Sequence, residues 1–305
     1  MRKSILLFLT VVFLSIVACS DKNNDSIHSA YYWTTKFELS KQKTDFISKH
    51  NVKRLYTRFF DVVMDTKMMP VPNATIQFVD TVPDSIEIVP TVFIMNECMM
   101  AEANSLAKKT VKRILQMCKT HHIRNVNEIQ IDCDWTNRTQ DQYFDFLEKT
   151  RKMLKENGLK LSATIRLHQL ALPVPPVDRG VLMLYNTGDV TDRNVKNPIL
   201  DFNDVKPYMR FLKNYELTLV AAYPVFSWDV IFRGRHFVGI KHNESEYLTS
   251  PADTIITYKS EADEIRKVKQ LVDQVRPKTN NEIIIYDLSD KNLKNHSAWD
   301  KILTM

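Results

Sequence analysis

Glu128-Ile129-Gln130-Ile131-Asp132-Cys133-Asp134-Trp135 is the stretch whose reading decides the fold. Side chains alternate along an extended strand, so Ile129, Ile131 and Cys133 go to one face and Gln130, Asp132 and Asp134 to the other. The apolar face calls for a packed layer, and the acidic face calls for water or hydrogen-bond donors, because an unpaired buried carboxylate is costly. A strand with both faces fits a barrel wall, with its apolar side under a jacket of helices and its polar side lining the interior near the rim.

Seven further segments of the same kind occur, at 30–34, 54–63, 86–95, 160–168, 180–186, 217–226 and 282–287. Helical periodicity separates most of them. In 104–121, Leu106, Val111, Ile114, Leu115 and Cys118 share a side, and in 140–157 Phe144, Leu147, Arg151 and Leu154 are similarly spaced. Ser40 is placed to cap a helix over 41–50, and Gly158 to relieve the left-handed turn after 140–157. Segments 204–214, 261–275 and 290–303 supply three more helices. Eight strands alternating with helices predict a single α/β domain, a (β/α)8 TIM-type barrel, which takes about 250 residues undecorated. Residues 68–84, with three prolines, decorate the second crossover, and 228–259 insert a hairpin turning near Gly234 into the seventh. An open doubly wound sheet would show a glycine-rich phosphate fingerprint, and the chain has none.

The N-terminus is of another kind. Arg2-Lys3, an apolar run from Ile5 to Val17 and Ala18-Cys19 follow the order of a secretory signal. The run is about thirteen residues, short of the roughly 20 that a helix needs to span a bilayer. Residues 1–18 are therefore expected to be removed as a signal peptide. Ile16-Val17-Ala18-Cys19 resembles a lipobox, which implies acylation of Cys19 with palmitate-type chains and anchoring of the mature chain in a membrane. Several acyl chains anchor a protein stably where one binds reversibly. Residues 19–28 are polar enough to form a disordered tether, leaving 29–305 as the barrel domain. Ser20 stands where an aspartate would favour inner-membrane retention, so the expected location is the cell envelope, on the outer membrane.

With Cys19 lipidated, Cys98, Cys118 and Cys133 remain, an odd number without C-x-x-C spacing. They read as buried thiols acting as small hydrophobes, and neither metal nor cofactor is expected. Loss of Arg2 and Lys3 takes two charges off the net +6, and the remaining basic residues are interspersed with acids. That pattern gives no support to nucleic-acid binding.

Catalytic and binding residues of such barrels lie at the C-terminal ends of the strands. In 160–168, Ser162, Thr164, Arg166 and His168 share the inward face, so Arg166 is placed to meet Asp132 across the strand pair. Asp134, nearer the mouth, is the candidate proton donor, and Asp132 the candidate electrostatic or positioning partner. Asp61, Arg166 and His168 are expected to line the site, with Trp135, Tyr223 and Trp228 among the aromatic rings near strand ends. Flat rings and carboxylates together suit an oligosaccharide or polysaccharide ligand.

Gln130-Ile131-Asp132-Cys133-Asp134-Trp135 also resembles the fourth-strand D-x-D-x-E signature of family-18 chitinases and their inactive relatives. Aligned on the last acid, Asp132 takes the place of the middle aspartate, Asp134 that of the catalytic glutamate and Gln130 that of the first aspartate. The resemblance implies that Asp134 donates the proton and Asp132 steadies the reacting acetamido group. Aspartate is one methylene shorter than glutamate, which withdraws the acid by roughly 1.5 Å. More of the mature chain resembles a bacterial family of unknown function with a glycosidase-like TIM barrel. The matching residues are Tyr32-Trp33, Leu55 to Val62, Gln130 to Asp134, Leu161 to Thr164 and Ala222 to Trp228, and the likeness implies that Asp61, Asp132 and Asp134 belong to one site. Two readings follow: a glycoside hydrolase-like enzyme using carboxylate acid catalysis, or a non-catalytic glycan-binding or envelope-assembly lipoprotein that keeps the barrel mouth.

Overall fold

In a computed structural model, residues 26–241 and 250–294 are described. The expected signal segment, Cys19 and most of the expected tether fall outside them, as do the last eleven residues. Eight parallel strands form the barrel: β1 Ile27–Tyr32, β2 Arg54–Met64, β3 Glu87–Ile94, β4 Glu128–Asp132, β5 Lys160–Arg166, β6 Arg179–Met183, β7 Leu219–Pro224 and β8 Glu282–Tyr286. β1 closes the ring by pairing with β8, from Ile27↔Glu282 to Ala30↔Ile285, and with β2, from Ser29↔Arg54 to Tyr32↔Thr57. Ile27 and His28 therefore belong to the first strand and not to the tether.

The helices α1 Lys41–Lys49, α2 Ala103–Thr120, α3 Gln140–Glu156 and α4 Ala262–Val275 cover the outside. Ser40 caps α1 by accepting from the Lys43 amide at 3.3 Å, and Gly158 has φ +70° just beyond α3. Helix α2 buries Leu106, Ala107, Val111 and Ile114 against the barrel wall. Helix α3 turns Tyr143, Phe146, Leu147, Thr150 and Leu154 inward, while Arg151 is exposed and pairs with Asp178. Each fully buried aliphatic or aromatic side chain contributes about 1.5–3 kcal/mol through removal from water, which holds the jacket on. The expected helix over 204–214 is broken into short turns, Phe202–Val205, Lys206–Tyr208 and Met209–Leu212. Pro207 sits in the middle turn and cannot donate to a continuous helix.

Both irregular regions are decorations. Pro70–Asn73 pairs antiparallel with the end of β2, and Gln77–Phe78 runs parallel to Lys36–Phe37. The insertion after β7 is a three-stranded antiparallel sheet with Ser227–Arg233 in the centre, flanked by His236–Lys241 and Asp253–Lys259. Its first turn is at Gly234, φ +61°, as the hairpin reading expected.

The barrel interior is polar to an unusual degree, where branched apolar residues are the rule. Its lower end holds Arg54, Glu87, Glu128, Arg179 and Glu282 in ion pairs of 2.7–2.9 Å. Above them Tyr31, Tyr56, Val89, Val181 and Ile284 pack together, with Gln130 accepting from the Tyr31 hydroxyl at 2.8 Å. Asp132, Thr164 and Arg166 form part of the upper rim.

Candidate functional site

β4 and β5 meet at the mouth through three side chains. Asp132 is 6% exposed and accepts from the Thr164 hydroxyl at 2.7 Å and from Arg166 Nη1 at 3.2 Å. The same guanidinium turns its Nε to Asp134 Oδ1 at 3.1 Å. Asp134 lies two residues past the strand, and its side chain is 59% exposed. Burial opposes the charge on Arg166, but Asp132 and Asp134 outweigh it and hold its pKa above the ordinary value. The guanidinium is thus a fixed cation clamping two carboxylates, one inside the barrel and one at its lip.

Gln169, which the sequence reading missed, braces this clamp. Its Oε1 accepts from the Arg166 amide at 2.9 Å, and its Nε2 donates to the Trp135 carbonyl at 3.1 Å. One fully buried amide therefore ties the loop carrying Asp134 to the end of the strand carrying Arg166.

Asp61 stands on the same rim. Register places it beside Phe93 on β3, and Phe93 beside Asp132 on β4. Two strand spacings separate the acids, about 10 Å. Arg58 chelates Asp61, with Nε at 2.7 Å and a second contact through Nη2. Arg58 also lies over the Trp33 ring, 5.6 Å from its centre.

From Trp33, just past β1, a chain of rings runs around the mouth by way of the ends of β8, β7 and β6. Trp33 and Tyr31 both pack on Tyr286, which stacks on Tyr185 at 4.8 Å and meets Phe226 at 5.8 Å. Phe226 in turn contacts Trp228 at 5.2 Å. Burial, then neighbouring charge, raises the Tyr185 and Tyr286 phenols well above their ordinary values, so both remain neutral hydroxyl donors. Asp132 is among the charges acting on each of them. Trp33, Trp228 and Tyr286 are partly exposed, so the wall has apolar faces open to the mouth.

Three expected site residues lie elsewhere. Trp135 is fully buried in the helix layer, packed on Tyr143 and Phe144 at 5.8 and 5.3 Å, because it has the outward parity of Ile129, Ile131 and Cys133. Tyr223 likewise has the outward parity of Leu219 and Ala221, and its hydroxyl donates to Asn280 at 2.8 Å under the helices. His168 leaves the inward face because β5 stops at Arg166 and turns into a single 3-10 segment, Leu167–Ala171. Its exposed ring borders a separate open cleft of about 1230 Å³, with Met68, Met100, Asn137 and Leu172. The thiols are as expected: Cys98 and Cys133 are buried, Cys118 is half-buried, and burial pushes Cys98 up to about 11 and Cys118 to about 12.

No family model and no curated protein matches the sequence. Solved structures do match in fold. The spore cortex-lytic enzyme SleL of Bacillus megaterium aligns at TM-score 0.60 and 12% identity, over 90% of this chain and 74% of its own. A chitinase from Chromobacterium violaceum aligns at TM-score 0.60 and 10% identity, over 92% of this chain and 99% of its own. The GH18 chitinase ChiB of Flavobacterium johnsoniae aligns at TM-score 0.55 and 15% identity, over 92% and 93% respectively. The fold is thus a glycosidase-like TIM barrel, similar to the barrels of family-18 chitinases and of SleL.

Proposed function

We propose that the chain is an exported lipoprotein, held on the outer membrane by acyl groups on Cys19, whose barrel mouth binds a glycan. The observation carrying this reading is the Arg166 clamp on Asp132 and Asp134, set opposite a wall of partly exposed rings. Sugar hydroxyls are met by fixed carboxylates, a guanidinium and the Tyr185 and Tyr286 hydroxyls, while Trp33 and Trp228 offer faces for pyranose stacking. Proteins of the same fold are named for chitin and for spore cortex, which makes oligomers of amino sugars the first ligands to try.

Recognition takes precedence over catalysis because a general acid must reach the leaving oxygen, and Asp134 Oδ1 is already engaged by Arg166 Nε at 3.1 Å. Hydrolysis stands second, supported by Asp134 being the more exposed of two neighbouring acids at a strand end. It requires the ligand to draw Arg166 away from Asp134 before proton transfer.

Calorimetry against N-acetylglucosamine oligomers and peptidoglycan fragments tests the first reading. Binding by the parent and at least tenfold weaker binding by Arg166→Gln is expected; a parent that binds none of them removes glycan recognition. Product analysis on the same ligands tests the second, with turnover lost in Asp134→Asn. Labelling with palmitate, present in the parent and absent in Cys19→Ser, tests the anchor independently.

A further inference from the structure

The two ends of the barrel carry opposite charge. Loops entering the strands, together with the helix ends and strand starts that flank them, at 49–53, 83–86, 119–127, 155–160, 175–178, 213–218 and 276–281, hold nine lysines and arginines against four acids. Loops leaving β1–β6 and β8, at 33–40, 65–69, 95–102, 133–139, 167–174, 184–201 and 287–290, hold five against ten. Scattered charge in the sequence thus becomes a dipole once the barrel closes: positive at the end where strands begin, negative at the mouth.

The positive end is shaped as well as charged. A groove of about 730 Å³ opens beside the end of α3, bordered by Arg151, Lys152, Lys155 and Lys160 and by the acids Glu148 and Asp178. Asp178 is already occupied, by Arg151 at 2.6 and 3.0 Å and by the Leu161 amide at 2.8 Å. Lys152, Lys155 and Lys160 are exposed and form no ion pair among the described residues.

The chain also enters the barrel at this end. β1 begins at Ile27, only eight residues after Cys19, and eight residues reach at most about 27 Å. If Cys19 sits at a bilayer surface, the face where strands begin is the one held within reach of lipid headgroups.

We propose that the N-terminal face of the barrel, centred on Lys152, Lys155 and Lys160, is a docking surface for an anionic phospholipid membrane. The orientation rests on the anchoring proposed above; the charge complementarity does not. Docking there turns the mouth, with Asp132, Asp134 and the aromatic wall, away from the bilayer toward a glycan in the surrounding space. The tether then confines the protein near the surface while the lysines set its attitude, and the negative mouth is repelled by the same headgroups.

The test uses the chain from Ser20 to Met305, which contains the whole closed barrel and lacks the acylated cysteine. Cosedimentation with phosphatidylcholine vesicles is compared with vesicles that also contain phosphatidylglycerol, at low and at physiological salt. Binding to the phosphatidylglycerol vesicles, weakened by salt, is expected. Joint replacement Lys152→Gln, Lys155→Gln and Lys160→Gln should lower it on the order of a hundredfold with the melting temperature unchanged. The mouth-side set Lys36→Gln, Lys67→Gln and Lys196→Gln should leave it within twofold. Equal binding to neutral vesicles, no binding to either, or equal losses in both variant sets would overturn the proposal. Because no acyl group is involved, each of these results stands apart from whether Cys19 is lipidated and whether the mouth takes sugar.

Discussion

Arg166 serves two carboxylates of unequal exposure, and that inequality separates the roles expected of them in stability and in the proposed recognition. Asp132 is nearly sealed, so Arg166→Gln leaves a carboxylate with only Thr164 to answer it. We expect a loss of about 2 kcal/mol, below the 3–5 kcal/mol typical of fully buried pairs because the Arg166 side chain is 21% exposed. Asp134 is largely in water, so Asp134→Asn should change stability by no more than about 0.5 kcal/mol while weakening ligand binding. Urea unfolding of both variants checks the contrast, and equal losses would place Asp134 inside the structural network. Asp287 presents the opposite case. Burial pushes its carboxyl up, against hydrogen bonds from Ser289 and Asn292. A raised folded pKa means that ionisation disfavours the native state, so stability at this residue is gained as pH falls. Asp287→Asn keeps an acceptor for Asn292 and removes the charge. Its melting temperature should exceed that of the parent at pH 7, and the gain should vanish below about pH 3.9.

At the scale of elements, alternation made eight strands legible, and their positions agree with the barrel to within a few residues. The same alternation carries further than it was applied. Counting on from Ile129 to Trp135 gives odd parity throughout, which sends Trp135 outward with Cys133, and Leu219, Ala221 and Tyr223 form an equivalent series. Proximity to a strand end suggested a place at the mouth, but side-chain direction along the strand decided otherwise. The Arg58–Asp61 pair was hidden for another reason. Residues three apart on a regular strand face opposite ways, and only the register shift between Arg58 and Phe60 brings both to one side. The Gln169 brace depends on a 3-10 turn that periodicity does not announce. Trp135→Ala should cost about 3–5 kcal/mol, as for a large buried aromatic. Trp135→Phe should lower the melting temperature by less and leave ligand affinity of the folded protein unchanged, and a selective loss of affinity would return Trp135 to the site. Strand β6 sets a second limit. A Cβ on Gly180 would stand 2.8 Å from both Ile165 Cγ1 and Leu219 Cδ2. Gly180→Ala therefore overpacks the layer between barrel and helices, with an expected loss of about 1–3 kcal/mol in denaturant unfolding.

Over the whole molecule, the buried ion-pair network and the proposed recognition site lie at opposite ends of one ring of strands. At the lower end Glu282 on β8 accepts from Ser29 on β1 at 2.7 Å, Tyr56 on β2 at 3.1 Å, Arg54 on β2 at 2.8 Å and Arg179 on β6 at 2.7 Å. One carboxylate therefore joins four strands, including those on either side of the closure at β1. Burial alone would raise its pKa, but Arg179 and Arg54, with the hydrogen bonds from Ser29 and Arg179, outweigh burial and hold it below the ordinary glutamate value. A depressed folded pKa contributes stability that is complete above the unfolded value of about 4.3 and is lost as pH falls through the folded one. The parent should therefore become easier to unfold on acidification below about pH 4.3. Glu282→Gln removes the charge while keeping the shape, leaving Arg54 with Glu87 and Arg179 with Glu128. The expected cost at pH 7 is about 3 kcal/mol, and the variant should show a flatter decline between pH 4.3 and pH 2 because one of the titrating contributions has gone. Unfolding free energies across that range measure both quantities. Parallel curves for variant and parent would show that other carboxylates set the acid limit and that Glu282 holds the strands by packing alone.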